Sequence, residues 1–263
     1  MIERVSVEPS RRCGKGCAFC YNGSSRTGEG LWTELELTAL AIDLGAHGVR
    51  SISFGGGEPL EVPWIFSILR TLRGTILRSL TTNGLPLLEP GVLDRLVRAH
   101  PDKVHVSIHD PENAREVERV IAQVVSLAAR GLRSGVNVLV RRSQLDAARR
   151  AVEALAQAGV GLDRIVLLPM RGEDTPSAAE VARVAGNARF QSMTCLSACG
   201  KSPRFVSIDA ERAAAWCSYT RTRRTLRAPT HAALTAALDG LGLEDCASNN
   251  LVKLGARPPS QLV

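Results

Sequence analysis

Three cysteines stand within eight residues in Cys13-Gly-Lys-Gly-Cys17-Ala-Phe-Cys20, and the run Phe54-Gly55-Gly56-Gly57-Glu58-Pro59 follows about one strand-and-helix unit later. Thiolates are soft ligands that favour iron-sulfur clusters or zinc, and a closed zinc site needs a fourth ligand nearby. No cysteine or histidine lies within twenty residues after Cys20. Three thiolates on a four-iron cluster would leave one iron open to a small molecule. The glycines let a backbone approach such a molecule closely. The same run could cradle phosphate, but no lysine followed by serine or threonine completes a nucleotide-binding loop. A structural zinc knuckle or a set of reduced core thiols is the plain alternative.

Four further cysteines, Cys195, Cys199, Cys217 and Cys246, form a later group, and the total of seven is odd. Met1-Ile-Glu-Arg-Val lacks the charged-then-apolar order of a signal peptide, and no run of eighteen apolar residues occurs. This combination argues for metal ligation in a reducing compartment over a disulfide framework, and for a cytosolic protein with no membrane segment. The formal charge of +7 raises the question of nucleic acid, with Arg221-Thr-Arg223-Arg224-Thr-Leu-Arg227 the densest basic patch. Aromatic residues make up only 4% of the chain, leaving few platforms for stacked bases, which argues against a nucleic-acid partner. A phosphate or an acidic leader peptide is the candidate ligand for the patch.

The elements that must position these residues follow from periodicity. Arg4 to Pro9 alternates as a strand and leads directly into the cysteine loop. Thr33 to Gly45 has helical spacing, with Thr33 placed to cap its start. Strands are expected at 51–54, 77–82, 104–108, 135–140 and 164–169, with helices at 63–72, 91–99, 112–129 and 144–158. Six strands alternating with helices imply a parallel sheet, an α/β fold in the form of a partial (β/α)6 TIM-like barrel whose ligand site lies at the carboxyl ends of the strands. A last barrel-side helix is expected at 180–185, a strand at 204–209 and a short helix at 211–216. The expected divisions are a barrel over 1–187, a small cysteine-containing domain over 188–254 and a loose tail over 255–263.

The spacing Cys13-x3-Cys17-x-Phe19-Cys20, with an aromatic before the third cysteine, resembles the signature of radical S-adenosylmethionine (SAM) enzymes. Gly56-Gly57-Glu58-Pro59 resembles that family's SAM-amine motif, in the expected order and at the expected distance. The resemblance implies that Cys13, Cys17 and Cys20 ligate a 4Fe-4S cluster whose fourth iron is chelated by SAM, and that one electron cleaves SAM to methionine and a 5′-deoxyadenosyl radical. It places Gly55, Gly56 and Gly57 against SAM, Glu58 near the methionine ammonium, Phe19 and Leu168 beside adenine, and Ser107 at the ribose or carboxylate. Asn83, in Thr81-Thr82-Asn83-Gly84, matches a common family sequence, with an ordinary Asn-Gly turn as the alternative. Asn137 and Arg141 or Arg142 are further polar candidates for SAM, with a solvated charge pair the alternative for the arginines. His109 stands where relatives often carry aspartate. It is a candidate catalytic residue, with a satisfied structural histidine as the alternative.

Around the later cysteines, Cys199-Gly200, the strand ending at Ile208-Asp209 and Trp216-Cys217-Ser-Tyr219 resemble the hairpin of a Twitch domain, the shortened form of SPASM. This implies a second, auxiliary 4Fe-4S cluster ligated from among Cys195, Cys199, Cys217 and Cys246, with structural zinc as the alternative, and makes Tyr219 a second candidate catalytic residue. Such a cluster could accept the electron left on a substrate radical, so that hydrogen abstraction from an unactivated C–H becomes a net oxidation. The substrate expected is a peptide or a small-molecule biosynthetic intermediate such as an aminocyclitol or nucleotide. The cysteine loop begins at residue 13, which leaves no room for an amino-terminal leader-binding domain and sets the small molecule beside the peptide. A flavodoxin- or ferredoxin-type electron donor is expected as a partner. Radical modification of RNA and a non-catalytic zinc or nucleic-acid-binding module are the alternative readings.

Overall fold

The computed structural model describes residues 1–192, 196, 200, 202 and 204–244. Strands β1 (Arg4–Val7), β2 (Ser51–Phe54), β3 (Leu77–Thr82), β4 (Lys103–Ile108), β5 (Ser134–Val140) and β6 (Ile165–Pro169) alternate with helices α1 (Glu34–Ala46), α2 (Ile65–Thr71), α3 (Val92–Ala99), α4 (Ala114–Ala129), α5 (Leu145–Gln157) and α6 (Ala178–Val184). They are followed by β7 (Gln191–Ser192), β8 (Phe205–Ile208), β9 (Ala213–Ala215), β10 (Arg224–Thr225) and α7 (His231–Leu238). The strands lie in one sheet of order β10-β9-β8-β1-β2-β3-β4-β5-β6-β7, and β1 to β7 pair in parallel with their neighbours. Among the described residues the two ends of this order do not pair, so the barrel is partial, as the alternation predicts.

Period-two patterning separates the two faces of the sheet. Val5, Val7, Ile52, Phe54, Leu80, Val104, Val106, Val136 and Val138 are fully buried in the core that packs the sheet against the helices. The alternate positions carry Ser6, Ser53, Thr81, Ser107 and Asn137, which line an interior cavity. A closed barrel fills this space with branched aliphatic side chains. Here the small polar residues leave it as a site.

Local signals set the helix ends. Thr33 Oγ1 accepts the Glu36 N–H at 3.2 Å while the Glu36 carboxylate takes the Thr33 N–H, the reciprocal cap that starts α1. At the amino-terminal end of the barrel, Arg78 is only 2% exposed. Its guanidinium bonds Asp102 Oδ2 at 2.8 Å and the carbonyls of His100 and Leu69, joining β3 to α2 and to the turn before β4.

The expected short helix at 211–216 is instead a turn followed by β9, antiparallel to β8 with Ser207 opposite Ala215. Alanine favours helix locally, but tertiary pairing overrides that preference. Asp209 Oδ1 accepts the N–H groups of Glu211 and Ala213 at 3.1 and 2.8 Å, and Arg212 takes a positive φ of 62° that no helix tolerates. Beyond residue 187, β8 runs parallel to β1 with Arg4 opposite Phe205, extending the barrel sheet. The expected tail lies outside the described residues. No helix among the described residues is long and apolar enough to cross a membrane.

Candidate active site

The cysteine loop leaves β1 and returns to its own base, where Cys13 N donates to Ser25 O at 2.8 Å and Ser25 N to Arg11 O at 3.0 Å. The glycine run after β2 is strapped to that base. Gly57 N reaches Ser10 O at 3.1 Å, Glu58 N reaches Arg12 O at 2.7 Å, and Gly14 N reaches a Glu61 carboxylate oxygen at 2.9 Å. Two motifs far apart in sequence are thus held together by two backbone–backbone bonds and one bond from backbone to a carboxylate. Gly56 has φ +88°, and a Cβ there would lie 2.5 Å from Glu8 Cβ, so no other residue fits. At Gly55 a Cβ would meet nothing within 4 Å, because that glycine faces the cavity.

This cavity, of about 390 Å³, lies at the carboxyl ends of the strands. It is lined by Cys13, Cys17, Phe19 and Cys20 from the loop, Gly55 to Glu58 after β2, Asn83 after β3, Ser107 and His109 at the end of β4, Asn137 in β5, Leu168 in β6, and Tyr219 beyond β9. The expected SAM-side residues other than Arg141 and Arg142, and both candidate catalytic residues, therefore meet in one space. Cys217 is half-buried, with its Sγ accepting the Tyr219 N–H at 3.4 Å. Cys195, Cys199 and Cys246 lie outside the described residues.

Burial pushes the Cys13 thiol up and the Cys17 thiol up to about 11. Such thiols shed their protons when a positive centre takes the electron pair, which is what cluster iron supplies. Asn83 Nδ2 stands 3.6 Å from Cys13 Sγ as a donor. Among the described residues no three His, Cys, Asp or Glu converge closely enough to hold a single metal ion. Cys13, Cys17 and Cys20 all line the cavity, and the Cys17 thiol feels both of the others electrostatically.

The Glu58 carboxylate is fully enclosed and accepts Thr82 Oγ1–H at 2.7 Å, Asn83 N–H at 2.7 Å and Leu60 N–H at 3.0 Å. Burial outweighs these donors and raises its pKa to about 7. Glu58 thereby ties the β2 loop to the end of β3 while its residue borders the cavity.

Several residues that sequence reasoning passed over hold the cysteine loop in place. Lys15 Nζ pairs with Glu116 Oε2 at 2.7 Å, and Glu116 Oε1 accepts the His109 N–H at 2.6 Å, linking the loop to α4 and β4. Burial raises the Glu116 carboxyl, but Lys15 and the His109 amide more than offset it and the net shift is downward. Of the two arginines expected as polar candidates for SAM, the Arg141 guanidinium lies 4.1 Å from the Phe19 ring centroid, a cation–π contact at the end of β5, and Arg142 donates to the Thr175 carbonyl at 2.5 Å. On the opposite side Tyr21 donates to Glu8 at 2.9 Å, and its ring centroid is 5.0 Å from that of Tyr219. Nothing in a lone Lys15, Glu8 or Tyr21 signals these contacts in the sequence; only the closing of the barrel brings the partners together.

His109 is neutral at neutral pH, because burial, aided by the Lys15 charge, lowers its pKa. Its Nδ1 is buried without a hydrogen-bond partner, 4.0 Å from Glu116 Oε1. A neutral imidazole of this kind can accept a proton from a ligand in the cavity. In the basic patch, Arg223 bonds Ser218 O at 2.8 Å and faces Asp209 at 3.6 Å, while Arg224 bonds Asp239 O at 2.7 Å. Both are committed to holding the carboxy-terminal segment, and Arg221 and Arg227 are exposed.

A profile of the Radical SAM superfamily matches residues 7–181. Among curated proteins the chain is 29% identical over 150 residues to a probable GTP 3′,8-cyclase of Sulfolobus acidocaldarius, covering 55% of this chain and 46% of that protein. It is 25% identical over 184 residues to the PqqA peptide cyclase of Ruegeria pomeroyi, covering 66% and 49%. The chain spans about half the length of these curated relatives. Among solved structures, Streptococcus suis SuiB bound to S-adenosylmethionine aligns with a TM-score of 0.68 at 15% identity, covering 86% of this chain and 63% of that one. The anSMEcpe protein with bound AdoMet and the Cp18Cys peptide aligns at 0.64 and 12%, covering 98% and 85%. Those structural likenesses are of fold, and they agree with the partial barrel traced here. With the profile covering the barrel from β1 into α6, the chain belongs to the radical SAM superfamily, whose enzymes work with a 4Fe-4S cluster and S-adenosylmethionine.

Proposed function

We propose that this radical SAM enzyme abstracts hydrogen from an unactivated C–H of a peptide or small-molecule biosynthetic intermediate, in a net oxidation that uses a second 4Fe-4S cluster. The observation that carries this reading is the single cavity in which the three thiols, the Gly55 to Glu58 turn and Tyr219 meet. Cys13, Cys17 and Cys20 would hold the first cluster, and Gly55, Gly56, Gly57, Glu58, Phe19, Asn83, Ser107, Asn137 and Leu168 the SAM. When bound, the reduced cluster and SAM supply a 5′-deoxyadenosyl radical. The chain's own part is to orient the substrate and exclude water, since a primary carbon radical abstracts hydrogen from whatever lies nearest. His109, which borders the cavity and is neutral, would take the proton that a net oxidation releases. Tyr219 covers the cavity from the carboxy-terminal side.

The Twitch-like region, assigned to 188–254 after a barrel of 1–187, would ligate the auxiliary cluster through Cys217 with Cys195, Cys199 and Cys246. Its support is the position of Cys217, two residues from a cavity-lining tyrosine. The PqqA peptide cyclase relative supports a peptide substrate, and the GTP 3′,8-cyclase relatives support a nucleotide. A flavodoxin- or ferredoxin-type donor would supply the electron.

Anaerobic reconstitution tests the reading. Two clusters give about eight irons per chain, and Cys217→Ala lowers this to about four. Dithionite with SAM releases 5′-deoxyadenosine, and Cys17→Ala abolishes the release. Protein that takes up zinc alone and forms no deoxyadenosine overturns the proposal.

A further inference from the structure

Inside the barrel one layer below the cavity, a histidine outside the expected site touches a residue within it. His105 in β4 has Gly135 of β5 directly opposite, and Ser107 stands opposite Asn137. A Cβ on Gly135 would lie 2.7 Å from His105 Nε2 and 2.4 Å from the Arg164 carbonyl oxygen, so glycine there clears the space the imidazole occupies. Across this gap His105 Nδ1 lies 2.8 Å from Asn137 Oδ1. Asn137 borders the cavity, and among the described residues its Nδ2 has no hydrogen-bond partner.

We propose that His105 is a positioning residue: it holds the Asn137 carboxamide by its oxygen, so that Nδ2 is presented to the cavity as a donor for an acceptor oxygen of SAM. The inference rests on the reading of Asn137 as a SAM contact. A carboxamide is nearly symmetric in shape and offers a donor at one end and an acceptor at the other, so its orientation decides what a ligand meets. An imidazole with Nδ1–H accepts only one answer, the oxygen inward. Burial lowers the His105 pKa to about 4, so the ring is neutral at neutral pH and available in that tautomer. Its Nε2 is then a buried acceptor without a partner, as observed.

The test is SAM affinity, measured by calorimetry on cluster-loaded protein, with iron content and melting temperature followed in parallel. We expect Asn137→Ala to weaken SAM by roughly tenfold, Asn137→Asp by at least as much because it offers acceptors only, and His105→Leu by several-fold with unchanged iron content. The double variant His105→Leu/Asn137→Ala should bind no more weakly than Asn137→Ala alone, since a positioning residue acts only through its target. If leucine disturbs folding, His105→Phe keeps the ring's bulk without the donor and carries the same test. Unchanged affinity in His105→Leu beside a weakened Asn137→Ala overturns the positioning role and leaves the SAM contact standing, as do additive losses in the double variant. Unchanged affinity in Asn137→Ala overturns the SAM contact itself, and wild-type affinity in Asn137→Asp overturns the donor orientation.

Discussion

Glu58 offers a sharp test because a carboxylate enclosed by three donors is also held near neutrality. Its pKa rises from 4.5 to about 7, with burial the dominant cause. A shift of this size corresponds to about 3 kcal/mol at 1.36 kcal/mol per unit. The sign follows from proton counting. Between the two pKa values the folded chain binds more protons than the unfolded one, so the contribution of this group is full below pH 4.5 and is lost as the pH rises through about 7. Glu58→Gln cannot ionise and has no such slope, though its amide faces one donor and costs about 1–3 kcal/mol at every pH. Guanidinium unfolding of cluster-free protein from pH 5 to 8 should therefore show the wild type losing about 2.5 kcal/mol relative to Glu58→Gln. Taking the difference between the two proteins cancels the titration of His105 and His109, which runs in the opposite sense. Parallel profiles over this range would mean that Glu58 is ionised throughout, and that the three donors outweigh its burial.

Gly55→Ala and Gly56→Ala should fail in different ways: the first folds normally but weakens SAM binding by isothermal calorimetry, whereas the second, facing Glu8 at 2.5 Å with φ +88°, lowers the melting temperature and the iron content. Arg78→Leu leaves the Leu69 and His100 carbonyls without their donor and Asp102 with the residue-78 backbone N–H alone, and should destabilise the chain by about 3 kcal/mol in denaturant unfolding; Arg78→Lys should not restore it because one ammonium cannot span all three acceptors. His105, held at about 4 against its usual 6.5, makes the fold less stable as pH falls from 6.5 to 4; His105→Phe should flatten that acid slope in the same unfolding assay.

The cysteine loop, the glycine turn and the six strand-helix units were legible in the chain because each is a local pattern. Spacing of thiols, glycine runs and period-two alternation need no partner to be recognised, and they led to a family and a barrel that the profile and the topology bear out. The helix expected at 211–216 went wrong for the same reason in reverse, since alanine's local preference says nothing of a neighbouring strand edge.

What the tertiary structure alone decided is which side chains share a space. Lys15 and Glu116 lie 101 residues apart, Tyr21 meets Tyr219 across most of the chain, and His105 reaches Asn137 only because Gly135 stands opposite it in the register. Each contact depends on the curvature and pairing of the sheet, which bring distant positions into one layer. Sequence determines which chemistry is available through the types and spacing of residues. Their proximity and burial, and with them the pKa of Glu58 and the orientation of Asn137, are set by how the barrel closes around them.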